Sequence, residues 1–219
     1  GTRNHFALDL GLDPHDVLGA LDAFTDGIER LIDVADVNGR PFLNNVSLGI
    51  YGDAVRSPAY RDAKMRTLLE TAEKVLGPSA EVPALRLVDD VGREHPHLAV
   101  VLVSIHPSTL DRPLTPGARP ALDSGRLGII VLDAPGAAQH PPGATPHTPG
   151  RAWSAPHLEV GAAAPVHAGV DGEAVDLSPP LQFTIRPRAL RVRISSRHQG
   201  ISPSARFPST REPRRLPER

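Results

Sequence analysis

The sequence predicts an α+β chain that is mainly antiparallel β. Three observations carry this. Apolar and polar residues alternate strictly over several short runs, as in half-buried strands. Two of the corners between runs are Asn38-Gly39 and Asp171-Gly172, the dipeptides preferred in tight hairpins. Helical spacing of apolar residues is confined to a few stretches in the first 76 positions.

Taken in order, Thr2 and Asn4 are capping-type residues ahead of Phe6, Ala7, Leu8 and Leu10, and Gly11 stops that run. Asp13-Pro14 opens a second helix through Val17, Leu18, Leu21 and Phe24, ended by Gly27. Residues 28–37 read as a strand, turned at Asn38-Gly39 into a returning strand over 42–51. Within it Asn44, Asn45 and Ser47 need polar partners if buried, and Gly49 and Gly52 permit close approach of another backbone or a ligand. Ser57-Pro58 starts a helix over 57–76 with Met65, Leu68, Leu69, Ala72 and Val75 on one side.

Residues 85–88 and 97–105 form the next pair of strands. Ala99 to Val103 is apolar without interruption, the mark of a strand covered on both faces. Another strand follows at 128–132. Residues 134–156, dense in Pro, Gly, Ala and His, read as a flexible loop. His140, His147 and His157 have no companion carboxylate or Cys cluster for a metal. In the stretch 166–194, Val166, Ala168 and Val170 alternate up to Asp171-Gly172. Leu181, Phe183 and Ile185 alternate after Pro179-Pro180, and Leu190, Val192 and Ile194 alternate beyond. Residues 195–219 are a disordered basic tail, solvated or in contact with anionic lipid headgroups.

Composition narrows the function. The chain has 219 residues, net charge −1 and no cysteine, so disulfides, thiolate metal sites and Cys nucleophiles are excluded, and no global charge argues for nucleic acid. Aromatics make up 4%, so the core must be built from Val, Leu, Ile and Ala. No apolar run approaches the ~18 residues of a membrane span. The sequence opens at Gly1 rather than Met, and the expectation is that it begins inside a longer one. Glu173 stands directly after the Asp171-Gly172 corner, where a rigid turn would hold a carboxylate in place for acid–base work. The plain alternative is a solvated residue beside a turn.

Four segments in this order resemble the diacylglycerol kinase catalytic superfamily, which includes bacterial lipid kinases and sphingosine kinases. GTRNHFALDLGL is similar to its GTxNDFAR segment and IDVADVNGRPFLNNVSLGIY to its D…NGRxFxNxxSxG hairpin. LDSGRLGIIVL is similar to its (D)DGxLD segment and VHAGVDGEAVDL to its DGE corner. The Ala- and Pro-rich style resembles the actinobacterial branch. The resemblance implies the C-terminal lobe of a lipid kinase: a β-sandwich substrate lobe over 28–194, preceded at 1–27 by a remnant of the α/β nucleotide-binding lobe. It implies ATP-dependent transfer of phosphate to a lipid hydroxyl, with Mg2+, in the cytoplasm at the inner face of the membrane. The glycine-rich GGDGT loop of the family is absent from these residues.

By the same resemblance Thr2 and Asn4 approach the nucleotide, and Glu173 accepts the proton of the lipid hydroxyl. Asp33 belongs to a magnesium-linked acidic network, and Asp123 lies in a magnesium loop built mainly of backbone oxygens. Three departures stand out. His5 replaces an Asp, Ser124 replaces another beside Asp123, and Ser104-Ile105-His106-Pro107 replaces an Asn-rich stretch. The alternative is a non-catalytic β-sandwich that binds a lipid or a partner.

Overall fold

A computed structural model describes residues 5–13, 15–49, 85–107, 121–134 and 150–196. The helix expected over 57–76, Thr2, Asn4 and Gly52 lie outside them. Eleven strands dominate the described residues: β1 Gly27–Val37, β2 Arg40–Phe42, β3 Asn45–Gly49, β4 Leu85–Val88, β5 Glu94–Ser104, β6 Leu127–Asp133, β7 Gly150–Ala155, β8 His157–Gly161, β9 Val166–Val170, β10 Glu173–Leu177 and β11 Leu181–Ser195. The helices among the described residues are short: α1 His5–Asp9, α2 Val17–Leu21 and a 3-10 turn Asp22–Phe24.

The strands form one sheet in the order β10-β9-β3-β5-β4-β8-β11-β1-β2, with β6 on β5 and β7 on β6. Every pairing is antiparallel. The mainly antiparallel expectation holds, but the hydrogen bonding is continuous rather than divided between two layers. The sheet curls into a half-barrel around its own core. Register shifts at Leu85/Leu87 and Leu98/Val100 mark where β4 and β5 bend, since an extra residue increases local twist.

The core follows from the alternation. Phe42, Leu48, Leu85, Leu127, Leu181 and Phe183 are buried in it, and Phe42 meets Phe183 edge-to-face at 6.4 Å. Leu98 to Val103 and Leu127 to Leu132 are buried throughout, as expected for strands covered on both faces. Gly49 lets another backbone come close: a Cβ there would lie 2.1 Å from the Ala99 carbonyl oxygen.

Several boundaries differ from the sequence reading: the second helix shortens to Val17–Leu21 with a 3-10 turn, and the strand expected over 97–105 runs Glu94–Ser104. The returning strand expected over 42–51 is split. β2 pairs with β1, while β3 leaves to join β5 and β9, because the Asp171 carboxylate takes the backbone N–H groups of Leu43, Asn44 and Asn45 from the ladder. The loop expected over 134–156 gives way by Gly150 to β7, whose register with β6 runs from Leu132↔Gly150 to Leu127↔Ala155. An open edge on the buried β6 recruits these residues despite their loop-like composition. Of the tail expected over 195–219, Ser195 is buried and closes β11 opposite Gly27, and residues 197–219 lie outside the described residues.

Candidate functional site

The Asp171-Gly172 corner is built from the turn outward. Asp171 (φ 49°) and Gly172 (φ 86°) both have positive φ, the geometry of the tight turn that joins β9 to β10. The Asp171 carboxylate then reaches across to the β2–β3 junction. Its Oδ2 accepts from Leu43 N at 2.8 Å, and its Oδ1 from Asn44 N at 2.8 Å and Asn45 N at 3.1 Å. The Asp171 N–H donates to the Asn45 carbonyl at 2.9 Å. Four hydrogen bonds thus fasten the corner to β3. Glu173 stands two residues on, at the start of the edge strand β10, with its side chain 78% exposed and Arg40 Nη2 at 3.6 Å from its Oε2. An exposed pair at that distance adds little stability. The carboxylate is open to an approaching molecule, on a backbone that cannot shift freely.

Asp33 is the buried counterpart. Between Ile32↔Leu190 and Val34↔Arg186 the register jumps, so that Asp33 faces three residues of β11. Arg188 has φ 52° in that bulge. The fully buried Asp33 carboxylate accepts from Arg188 N at 2.8 Å and Gly125 N at 2.7 Å, while Asp33 N donates to the Leu122 carbonyl at 2.8 Å. Asp33 therefore ties β1, the β11 bulge and the 121–126 loop together. Asp123 is exposed on that loop. The loop feeds β6, where Gly128 pairs with Ser104, which pairs with Asn45, whose N–H is held by Asp171. The 121–126 loop and the Asp171 corner therefore open at the same end of the sheet, roughly three strand spacings of ~4.8 Å apart.

Among the described residues no three His, Cys, Asp or Glu side chains gather as a metal cage. Asp33 spends one lone pair of each oxygen on a backbone N–H and is enclosed. Exposed Asp123 offers an oxygen of the kind that Mg2+ prefers, while in its loop the Leu122 and Arg126 carbonyls already accept from Asp33 N and Ser124 Oγ. Thr2 and Asn4 fall outside the described residues. His106, in the segment that departs from the Asn-rich pattern, is buried, and Ser104 Oγ donates to its carbonyl at 2.8 Å.

A second polar cluster lies in a cleft of about 430 Å³ between the β4–β5 turn and β7. Asp89 Oδ1 accepts from Arg93 N at 2.8 Å and Val91 N at 3.1 Å, and its Oδ2 lies 3.2 Å from His95 Nε2. Arg151 Nη1 is 2.9 Å from His95 Nδ1, and Arg151 Nη2 donates to Asp133 at 2.5 Å. A guanidinium only donates, so Nδ1 accepts and Nε2–H donates to Asp89. Trp153 stacks on the His95 ring at 4.9 Å. Burial pushes the Asp89 carboxyl up, but the Arg93 and Val91 amides and the His95 ring outweigh it and hold the group below its ordinary 3.8. Both ring nitrogens of His95 are engaged, which leaves this cluster structural.

Sequence reasoning singled out Glu173, Asp33 and Asp123 but missed Asp171 and Arg40. The signal for Asp171 was present: an Asp at the first corner position can bond backbone beyond its own turn. The bulge that frames Asp33 was also visible, because the buried positions change parity between Ile185 and Leu190.

No protein-family profile matches the chain. A stretch of 86 residues is 33% identical to the diacylglycerol kinase of Bacillus subtilis (strain 168), covering 39% of this chain and 27% of that protein. The fold is similar to that of a putative diacylglycerol kinase from Bacillus anthracis str. Sterne, with a TM-score of 0.63 and 20% identity, over 90% of this chain and 67% of that one. The chain is related to the diacylglycerol kinases. A diacylglycerol kinase structure from the same organism matches with a TM-score of 0.56 and 16% identity, over 90% of this chain and 65% of that chain. The chain thus spans about two thirds of these diacylglycerol kinase structures, and its half-barrel resembles part of their fold. Among the described residues no helix is long and apolar enough to cross a membrane.

Proposed function

We propose that these residues form the substrate lobe of an ATP-dependent lipid kinase of the diacylglycerol kinase type, with residues 1–27 as the edge of its nucleotide-binding lobe. The observation that carries the reading is the corner itself: Asp171 fastened by three backbone N–H groups, with Glu173 exposed two residues on. A general base must be within hydrogen-bond reach of the proton it takes and must not be saturated by its own protein. Glu173 meets the second condition, and Asp89, Asp33 and Asp171 do not.

In this reading a lipid with a free hydroxyl meets the chain at the inner, cytoplasmic face of a membrane. Its oxygen attacks the γ-phosphorus of ATP, Glu173 takes the hydroxyl proton, and the bond to the β-phosphate oxygen breaks to release ADP. Thr2 and Asn4, by their likeness to the family's GTxN segment, would contact the nucleotide. Asp123 and neighbouring carbonyls would hold Mg2+, with Asp33 fixing their loop from behind. When bound, Mg2+ neutralises charge developing on the phosphates. The test is calorimetric ATP–Mg2+ binding together with transfer of labelled γ-phosphate to a mixed lipid extract. Binding with transfer supports the kinase reading for the chain. Lipid binding without ATP binding or transfer makes it a non-catalytic lipid-binding lobe.

A further inference from the structure

We propose that His95 is an acid-operated latch on β7, in which a proton taken up at Nδ1 displaces Arg151 and releases the strand from the β4–β5 turn. Among the described strands β7 pairs with β6 alone, so its side-chain contacts decide how firmly it is held. Arg151 and Trp153 stand two residues apart on β7 and leave it on the same side. Arg151 Nη1 meets the Nδ1 of His95 at 2.9 Å, and Trp153 stacks on the same ring. The ring is buried, with 8% of its side chain exposed, and its Nε2 lies 3.2 Å from Asp89 Oδ2. The relay from Asp89 through His95 to Arg151 requires a ring whose Nδ1 carries no proton.

A protonated ring cannot accept there. Nδ1–H and Arg151 Nη1–H would become two donors 2.9 Å apart, both on cations. Among the described residues, the charged groups around the ring are Asp89, Asp90 and Arg93 of the turn, Glu94 of β5 and Arg151 of β7. Glu94 is spent on Arg86, and Asp90 lies 3.9 Å from Arg126. Asp89 and Arg151 are the two bonded to the ring. Asp89 attracts the imidazolium and keeps it in place. Arg151 is the group that leaves, because it has a second anchor: its Nη2 donates to Asp133 of β6. The proton comes from solvent, one hydrogen bond breaks and no covalent bond changes. The release passes to the 121–126 loop, since Arg126 Nε donates to Ser154 Oγ at 2.9 Å and Arg126 Nη2 to the Ser154 carbonyl. On the reading of that loop as the Mg2+ loop, acid also loosens the residues around Asp123; the latch itself does not rest on that reading.

Hydrogen exchange of the full chain at about pH 7.5 and about pH 5.5, corrected for intrinsic rates, tests this in the range where histidines change charge. The Asp89 carboxyl, held below its ordinary 3.8, stays ionised at both values. Amides of residues 151–154 are expected to lose about tenfold in protection at the lower pH, while those of β1, β3 and β11 keep theirs. Trp153 is the single tryptophan of the chain, so its emission follows the same change. His95→Gln keeps a donor for Asp89 and an acceptor for Arg151 but takes up no proton, and its β7 protection and emission are expected to be alike at both values. Arg151→Gln is expected to show the lowered protection already at about pH 7.5. Equal β7 protection of the parent at both values overturns the proposal. So does a transition of the same size in His95→Gln, or a loss shared by the whole sheet. Should His95→Gln not fold, Arg151→Gln decides: β7 protection equal to the parent's at neutral pH overturns the latch.

Discussion

Two hairpin corners in this molecule use the same device to different ends. At β9–β10, Asp171 accepts three backbone N–H groups from another part of the chain and leaves Glu173 facing water. At β4–β5, Asp89 accepts two N–H groups from its own turn and then consumes His95, which Arg151 and Trp153 also hold. The first corner organises its surroundings and keeps one titratable group available. The second engages its carboxylate and both ring nitrogens of its histidine, while Arg151 Nε and Trp153 Nε1 stay buried without a hydrogen-bond partner among the described residues. The difference teaches that the same turn device can either consume a neighbouring titratable group or leave one exposed.

The comparison can be broken at its anchors. Asp171→Ala strands three amide donors and is expected to lower unfolding free energy by about 3 kcal/mol, and to abolish any phosphate transfer through loss of the corner. Urea denaturation and lipid phosphorylation, measured together, check both. Asp89→Ala is expected to destabilise by about 2 kcal/mol while transfer per folded molecule is unchanged; a selective loss of transfer would move the chemistry to the cleft.

Acid sharpens the contrast. The Asp89 carboxyl lies below its ordinary 3.8 in the fold, so the unfolded chain takes up its proton first as pH falls. Its contribution is fully present above about pH 4 and is lost as pH drops through the depressed value. Urea midpoints at about pH 7 and about pH 3 should therefore converge more for Asp89→Asn than for the parent. The smallest effect belongs to Arg40→Ala, expected to change stability by less than about 0.5 kcal/mol because the pair with Glu173 is exposed; a larger loss would mean that Glu173 is held by more than its backbone.

Much of this was legible in the sequence. The strands at 85–88, 128–132 and 166–170 follow from alternation or continuous apolar runs, and Asn38-Gly39 and Asp171-Gly172 form the tight turns their composition demands. What could not be read is long-range. Nothing local in Phe42 to Tyr51 says that Asp171, over a hundred residues later, breaks that strand at Asn44. β7 looks like loop because its partner, not its composition, makes it a strand. Glu173 was legible as a held carboxylate, but Asp171 as its fastening needed the fold, as did the enclosure of Asp33 behind the 121–126 loop.

The most direct measurement is the rate of γ-phosphate transfer to lipid by Glu173→Gln beside the parent chain, supplied with ATP and Mg2+, with melting temperature recorded for both. Loss of about a hundredfold or more in rate at an unchanged melting temperature is the predicted result, since the amide keeps the shape and cannot take the proton. A variant that transfers phosphate at the parent's rate would contradict the account and return Glu173 to a solvated residue beside a turn.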